Sequence, residues 1–312
     1  TAVTGGGQKL LSQNNEISNF SAQSIGQNNS INGGIEFVSK AAGGLTAQLN
    51  GLNVNAGNVS ISNIAADGDL TINGGVNVTA GGIDFSGRGD LATTGVLKAA
   101  ETVEMTADGN ISNRDAITAG QAIDLQAGKD ITNNEAVSAG TDLLMDAKDG
   151  SIINKGAVSA SADVSLTAAK AITNSSTVKA GEGLLMNAVT GNIINQGGVT
   201  AGKDIDLQAG KDITNNEAVS AGTDLLMDAK DGSIINKGTV SADADVSLTA
   251  AKSITNASDV SAAKLISMLA KAGDIINEGN LTAGGTGLAV DLTAEQGSIR
   301  NTAAAGAIVA AG

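Results

Sequence analysis

The stretch IDLQAGKDITNNEAVSAGTDLLMDAKDGSIINKG fills positions 123–156 and returns without a single change at 205–238, 82 positions later (205 − 123). An irregular core does not accept such a copy, because each of its segments fills a differently shaped space. A stack of like layers does, provided the copy contains a whole number of layers.

The layer length follows from a shorter motif, Ile-x-Asn, which begins at 111, 131, 152, 172, 193, 213, 234, 254, 275 and 299. The steps between these positions alternate 20 and 21 and end with one of 24. Four steps (20 + 21 + 20 + 21) make up the offset of 82, so the duplication spans whole layers. Within a layer, apolar residues alternate with polar ones at the period of a half-buried strand. Leu143, Met145 and Ala147 share one face, as do Val137 and Ala139. The outer side of the Val137 strand and its counterparts carries a row of Ser138, Ser159, Thr200, Ser220, Ser241, Ser261 and Thr282, interrupted by Lys179. About twenty residues cannot enclose a core alone, but as a rung of roughly three short strands they can stack at about 4.8 Å. The expected fold is therefore all-β, a parallel β-helix with coils of about 20–21 residues. SAAKLISMLAKAG (261–273) resembles an amphipathic helix in isolation, yet Ile266, Met268 and Ala270 fall in register with Leu143, Met145 and Ala147. It is read as strand.

Residues 1–110 carry short alternating strands after Gly-rich turns and are expected to form less regular coils, with a loop around 11–33. Residues 111–312 form the regular repeats, the two parts making one continuous rod. Composition agrees: 42 Gly, three Phe and no Trp, Tyr, His, Cys or Pro suit thin coils with tight turns. The net charge of −14 argues against nucleic acid and anionic membranes as partners. No leader-like segment precedes the repeats, so the chain reads as a piece of something larger or as a processed form.

The Asn that closes each motif, at 113, 133, 154, 174, 195, 215, 236, 256, 277 and 301, predicts a ladder of side-chain amides bonded from coil to coil. This is preferred over a row of ligand-binding groups. Without His or Cys, triads, thiolates and imidazole metal sites are unavailable. The acids Asp142, Asp146 and Asp149 recur as Asp224, Asp228 and Asp231, whereas an active site occurs once. They read as solubilising charge, and no enzyme activity, cofactor or metal is expected. Arg88-Gly89-Asp90 is unique in the chain. An exposed tripeptide of this kind is a receptor ligand in other settings; the simpler reading is a turn, because Gly-Asp is a common turn here. It is still the best single candidate for receptor binding. Leu144, Leu185 and Leu226 recur on the outer side of alternate layers, and Ile153, Ile194, Ile235 and Ile276 form a second such row. Either row could meet a partner.

AGKDIDLQAGKDITNNEAVSAGTDLL, with GDLTINGG and GNLTAGGTG elsewhere, resembles the shaft repeats of filamentous-haemagglutinin-like exoproteins, closely over 60–312 and loosely over 1–60. These are large adhesins and contact-dependent-inhibition proteins exported by two-partner secretion. The resemblance implies a right-handed β-helical shaft on the outer surface of a Gram-negative bacterium, exported through an outer-membrane transporter. Such a shaft holds an adhesive or toxic region toward a receptor, protein or glycan, on a host or neighbouring cell. The family's NPNG secretion motif is absent, and no toxin region is recognisable. The expected role is a structural shaft segment that itself adheres in one version of the reading, with end-to-end or lateral self-association as a further possibility. A polysaccharide-binding or -degrading β-helix and a self-assembling or ice-binding solenoid are the alternatives.

Overall fold

A computed structural model describes residues 8–11, 16–23, 31–284, 289–302 and 308–310. Of the loop expected over 11–33, positions 12–15 and 24–30 lie outside the described residues, while Asn19–Ser21 and Ile31–Asn32 are strands. The chain divides into two compact units, Thr1–Ser161 and Ala162–Gly312. Each is a parallel β-solenoid in which every coil gives one strand to each of three sheets. No helix occurs among the described residues.

In the regular coils, sheet 1 is built from five-residue strands such as Leu143–Ala147 and Leu225–Ala229. Sheet 2 is built from the Ile-x-Asn strands, such as Ile152–Asn154 and Ile234–Asn236. Sheet 3 is built from strands such as Val158–Ala160 and Val240–Ala242. Pairing is parallel and in register, like position over like position: Ile213 lies on Ile234, Thr214 on Ile235 and Asn215 on Asn236. The alternating pattern fixes which side faces in. In sheet 1 of the regular coils from Ile123 to Ala270, the first, third and fifth residues are buried and the second and fourth half-buried. Residues 266–270 follow this pattern as strand Ile266–Ala270, as their register predicts.

The interior shows that the packing unit is a pair of coils. In Ala162–Gly312 the central sheet 1 residue alternates Leu166, Met186, Leu207, Met227, Leu248, Met268, all with no exposed surface. The residue at the head of each of these strands runs Val164, Leu184, Ile205, Leu225, Val246, Ile266. Up to Val246, a Leu–Met pair thus sits between pairs made of a β-branched residue and Leu. Unlike shapes then interdigitate between adjacent layers while interior volume stays nearly even. A pair of coils, one step of 20 and one of 21, is the true repeat, and the offset of 82 is two such pairs.

The less regular part, before about residue 100, uses wider coils. Sheet 1 strands begin at 35, 59 and 83, steps of 24 (59 − 35 and 83 − 59), before the step falls to 20 (103 − 83) at Val103. All positive-φ glycines among the described residues lie between Gly33 and Gly95, so the extra length is absorbed in left-handed turns. Gly57 is one: at φ 95°, a β-carbon there would lie 2.5 Å from the Gly34 nitrogen. In the regular coils glycine serves close stacking instead. A β-carbon on Gly140 would overlap the Gly120 carbonyl oxygen one coil below. Phe20 and Phe37 stack with ring centroids 4.3 Å apart.

The inward Asn residues form the expected ladder. In the first unit Asn113 Nδ2 donates to Asn133 Oδ1, and Asn133 Nδ2 to Asn154 Oδ1, each at 2.8 Å. In the second unit the chain of bonds runs from Asn174 through Asn195, Asn215, Asn236, Asn256 and Asn277 to Asn301, at 2.7–3.0 Å. The other amide hydrogen turns inward on its own coil: Asn215 Nδ2 also donates to the Glu217 carbonyl at 2.6 Å. All the amides from Asn113 to Asn277 are fully buried. The ladder has one polarity, since in each of these bonds the Nδ2 points toward the next coil. Its first acceptor, Asn113 Oδ1, takes a hydrogen bond from Thr93 Oγ1 at 2.9 Å. Below Thr93 the same register position holds Ile72 and Ala47.

Asn215→Ala strands three partners at once: the Asn195 Nδ2, the Asn236 Oδ1 and the Glu217 carbonyl. A buried unmet hydrogen-bonding group costs about 1–3 kcal/mol, so the variant is expected to lower the urea midpoint far more than Thr214→Ala on the same strand. The double-coil repeat makes a second prediction. Deleting 213–253, two whole coils, joins Asp212 to Ile254 and should leave a folded chain with unchanged circular dichroism per residue. Deleting 213–243 breaks register and should leave it largely unfolded.

Candidate functional site

Three places stand out from the repeat: the turn at 88–90, a set of side chains that cap the turns, and one coil around Gly183.

Arg88-Gly89-Asp90 follows sheet 1 strand Ile83–Gly87 at the turn into sheet 2. The Gly89 N–H donates to the Gly68 carbonyl of the coil below at 3.0 Å. A β-carbon on Gly89 would overlap Asp69 Oδ1, so stacking alone demands glycine. The Asp90 carboxylate is engaged: its Oδ1 accepts the Asn110 backbone N–H at 2.8 Å and the Asn110 Nδ2 at 2.9 Å. The Asp90 N–H in turn donates to Asp69 Oδ1 at 2.8 Å. Arg88 lies 3.6 Å from an Asp108 carboxylate oxygen, both side chains well exposed, an arrangement worth little in water. The tripeptide therefore sits in a regular turn whose aspartate already holds the next coil.

Asp90 belongs to a row that reading the acids as solubilising charge missed. Before most sheet 2 strands, though not before Ile172–Asn174, which follows Ala171, stands a short polar residue, and in several coils its side chain accepts the corresponding N–H one coil above. Asn110 caps Asp130 at 3.1 Å, Asp130 caps Ser151 and Asp212 caps Ser233 at 2.8 Å, and Asn192 caps Asp212 at 3.0 Å. A second row precedes sheet 1. Asp163 accepts from Gly183 at 2.8 Å, Asp204 from Asp224 at 3.1 Å, Asp224 from Asp245 at 3.0 Å and Asp245 from Leu265 at 3.1 Å. Asp224, one of the repeated acids, is thus a structural cap. The signal in the sequence is the Asp, Asn or Ser that often stands immediately before the first apolar residue of a strand, as in GKDITN and GTDLLM. Such a side chain satisfies a turn N–H that the strand ladder cannot reach.

In one coil of the second unit, Gly183 takes the register position held by Asp163 and Asp204. The missing side chain opens a recess of about 390 Å³ bordered by Asp163, Ser165, Leu185, Asp204 and Asp206. The same coil carries Lys179 in the Ser/Thr row and Val189-Thr190 where Lys230-Asp231 stand two coils on; Val189 is exposed. An ion pair joins Glu182 to Lys203 at 2.8 Å, and this hydrogen bond and charge hold the Lys203 ammonium above its ordinary pKa. The Asp204 pKa is lowered because its Oδ1 accepts from both the Thr223 hydroxyl and the Asp224 N–H. Asp206 moves the other way. It is half-buried between Leu185 and Leu226 of the stacked outer row. Burial, reinforced by Asp228, raises its pKa against the opposing Gln208 hydrogen bond and Lys230 charge. Its Oδ1 is buried without a partner, as is the Oδ1 of Asp124 in the earlier copy. The orphan oxygen therefore belongs to the repeated IDLQ strand rather than to the recess. Among the described residues no group of three or more His, Cys, Asp or Glu is placed to hold a metal ion.

No family model, no curated protein and no solved structure matches the chain.

The Asp206 environment has a pH signature. A carboxyl whose folded pKa exceeds its unfolded value binds more protons when folded, so its penalty is greatest at neutral pH and fades as pH falls through the folded value. Asp206→Ser, which copies Ser165 and Ser247 of the same row, is expected to raise the urea midpoint at neutral pH. The gain should shrink as the pH is lowered through the carboxylate range. A gain independent of pH would show that packing, not ionisation, is what the substitution relieves.

Proposed function

We propose that this segment is a structural shaft of a large secreted bacterial surface exoprotein of the filamentous-haemagglutinin-like kind, holding a functional region away from the cell. The observation that carries the reading is that the repeated Asn amides and the Asp and Asn caps are occupied by the next coil. The Asn amides, the Asp and Asn caps and the close-stacked glycines all serve stacking, and the repeat tolerates duplication by whole coils. Such a chain sets distance and little else.

Export through an outer-membrane transporter fits the same physics. Each coil pairs with its sequence neighbours, so coils can add one after another as chain emerges. No disulfide has to form and no prolyl bond has to isomerise, since the chain contains neither Cys nor Pro. A hydrolase would need two carboxylates free to converge on one substrate. At the recess beside Gly183, Asp163 and Asp204 are already occupied as caps.

The test is direct binding of the purified segment to host and bacterial cells, beside the Arg88→Lys variant. Asp90 is a poor choice for substitution because its loss also frees Asn110; Arg88→Lys leaves the turn intact. The shaft reading predicts no saturable binding by either protein, with circular dichroism confirming that both are folded. Saturable binding lost in Arg88→Lys would make residues 88–90 a receptor site and the segment an adhesin in its own right. Binding retained by the variant would overturn the pure spacer reading and place adhesion elsewhere on the surface.

A further inference from the structure

The outer face of sheet 2 in the second unit carries a pattern only part of which serves the stacking: Asp212 and Asp274 cap the next coil, while the residues that follow on each strand do not. Each strand and its flanks present three outward residues. From residue 212 the successive coils read Asp212-Thr214-Asn216, Ser233-Ile235-Lys237, Ser253-Thr255-Ala257, Asp274-Ile276-Glu278 and Ser298-Arg300-Thr302. Ile235, Lys237, Glu278 and Arg300 are exposed, while Ile276 is half-buried.

We propose that this face binds a second copy of the chain, the two stacks antiparallel, about a two-fold axis that runs along the strand at Thr255. The argument is self-complementarity. Such an axis sets coils equally far above and below Thr255 against each other and keeps their order along the strand. Lys237 then meets Glu278 of the other copy, and Ile235 meets Ile276. Arg300 lies over Thr214, beside Asp212. Each of these contacts occurs twice, as an isologous interface requires. The residues that oppose themselves on the axis, Ser253, Thr255 and Ala257, are small and uncharged. The same symmetry centred on Thr214 fails, because Asp212 would oppose itself and Lys237 would face Gln196. The outer row of sheet 1 is a poor alternative surface, carrying acids at Asp206, Asp228 and Asp291 and no Lys or Arg in this unit, so two copies would repel there.

Five coils at about 4.8 Å spacing give a contact only about 20 Å long, which belongs among small and transient interfaces. It gains strength if neighbouring contacts on longer shafts act together. The inference stands apart from the shaft reading, since it concerns this face whatever the rest of the protein does.

The chain has no cysteine, so a single introduced thiol reports on one place. With Thr255→Cys at about 100 µM, in the range of weak interfaces, a short bismaleimide should give a covalent dimer. Ser241→Cys on the sheet 3 face should give little. On the Thr255→Cys background, Lys237→Glu and Glu278→Lys should each cut the dimer yield about tenfold, since each sets like charges together twice. Combining the two restores opposite charges and should restore the dimer. Both positions are exposed, and circular dichroism checks that each variant remains folded. Equal cross-linking of the Thr255→Cys and Ser241→Cys variants, no dimer from Thr255→Cys, or no rescue by the combined charge reversal would each overturn the proposal.

Discussion

A strand pair is spaced at about 4.8 Å whatever its sequence, and the structure depends on how much can be made to repeat at that distance. A primary amide suits it. Its oxygen and nitrogen lie on either side of one carbon, so an amide aligned with the stack reaches the next amide at ordinary hydrogen-bond length. The second hydrogen remains for a carbonyl of its own coil, as Asn236 Nδ2 does with Gly238 at 2.8 Å. A dry interior that would penalise a lone Asn heavily therefore accepts a column of them. The same column fixes register: a slip by one position would place Thr or Ile in line with Asn and leave amides unmet on both sides. Apolar stacking alone could not discriminate so well, because Ile over Val and Leu over Met tolerate sliding.

That constraint explains what could be read from the sequence and what could not. Strand direction and faces were legible because period-two alternation has a direct physical cause, and the Asn ladder was legible because one polar residue recurs inside an apolar frame. The caps were not. An Asp in GKDITN looks like any charged turn residue, and only coordinates reveal that Asp130 Oδ1 faces the Ser151 N–H rather than water. The recess at Gly183 was hidden for the opposite reason. A glycine in a glycine-rich turn attracts no notice until its neighbours in the stack, Asp163 and Asp204, are known. The 20/21 alternation was visible as spacing, yet its meaning lay in the shape of the core, with Leu–Met coils set between coils that pair a β-branched residue with Leu.

The candidate receptor site follows the same rule. Arg88-Gly89-Asp90 stands out among the motifs, but Gly89 is required by Asp69 and Asp90 is occupied by Asn110. Two of its three residues have structural reasons to be there, so only Arg88 remains for a receptor to explain. Where so many polar groups have a duty to the next coil, departures from the repeat carry more information than the repeat itself. In the second unit the coil of Lys179, Gly183 and Val189 departs at three positions.

A two-coil packing unit has an outward consequence. Alternation in the core goes with alternation in coil length, and the outward Ile residues follow the same beat, with Ile235 and Ile276 separated by Thr255. A face that alternates large and small with a fixed period is matched most easily by another face with that period, and a second copy has it by construction. Charge then selects among the possible alignments, since apolar rows that repeat every two coils would fit equally well at several offsets. The charged residues that break the repeat, Glu278 and Arg300, lie on one side of Thr255, while Lys237 and Asp212 lie on the other. Repetition thus supplies a surface able to recognise itself, and the few unrepeated charges determine where the two copies meet.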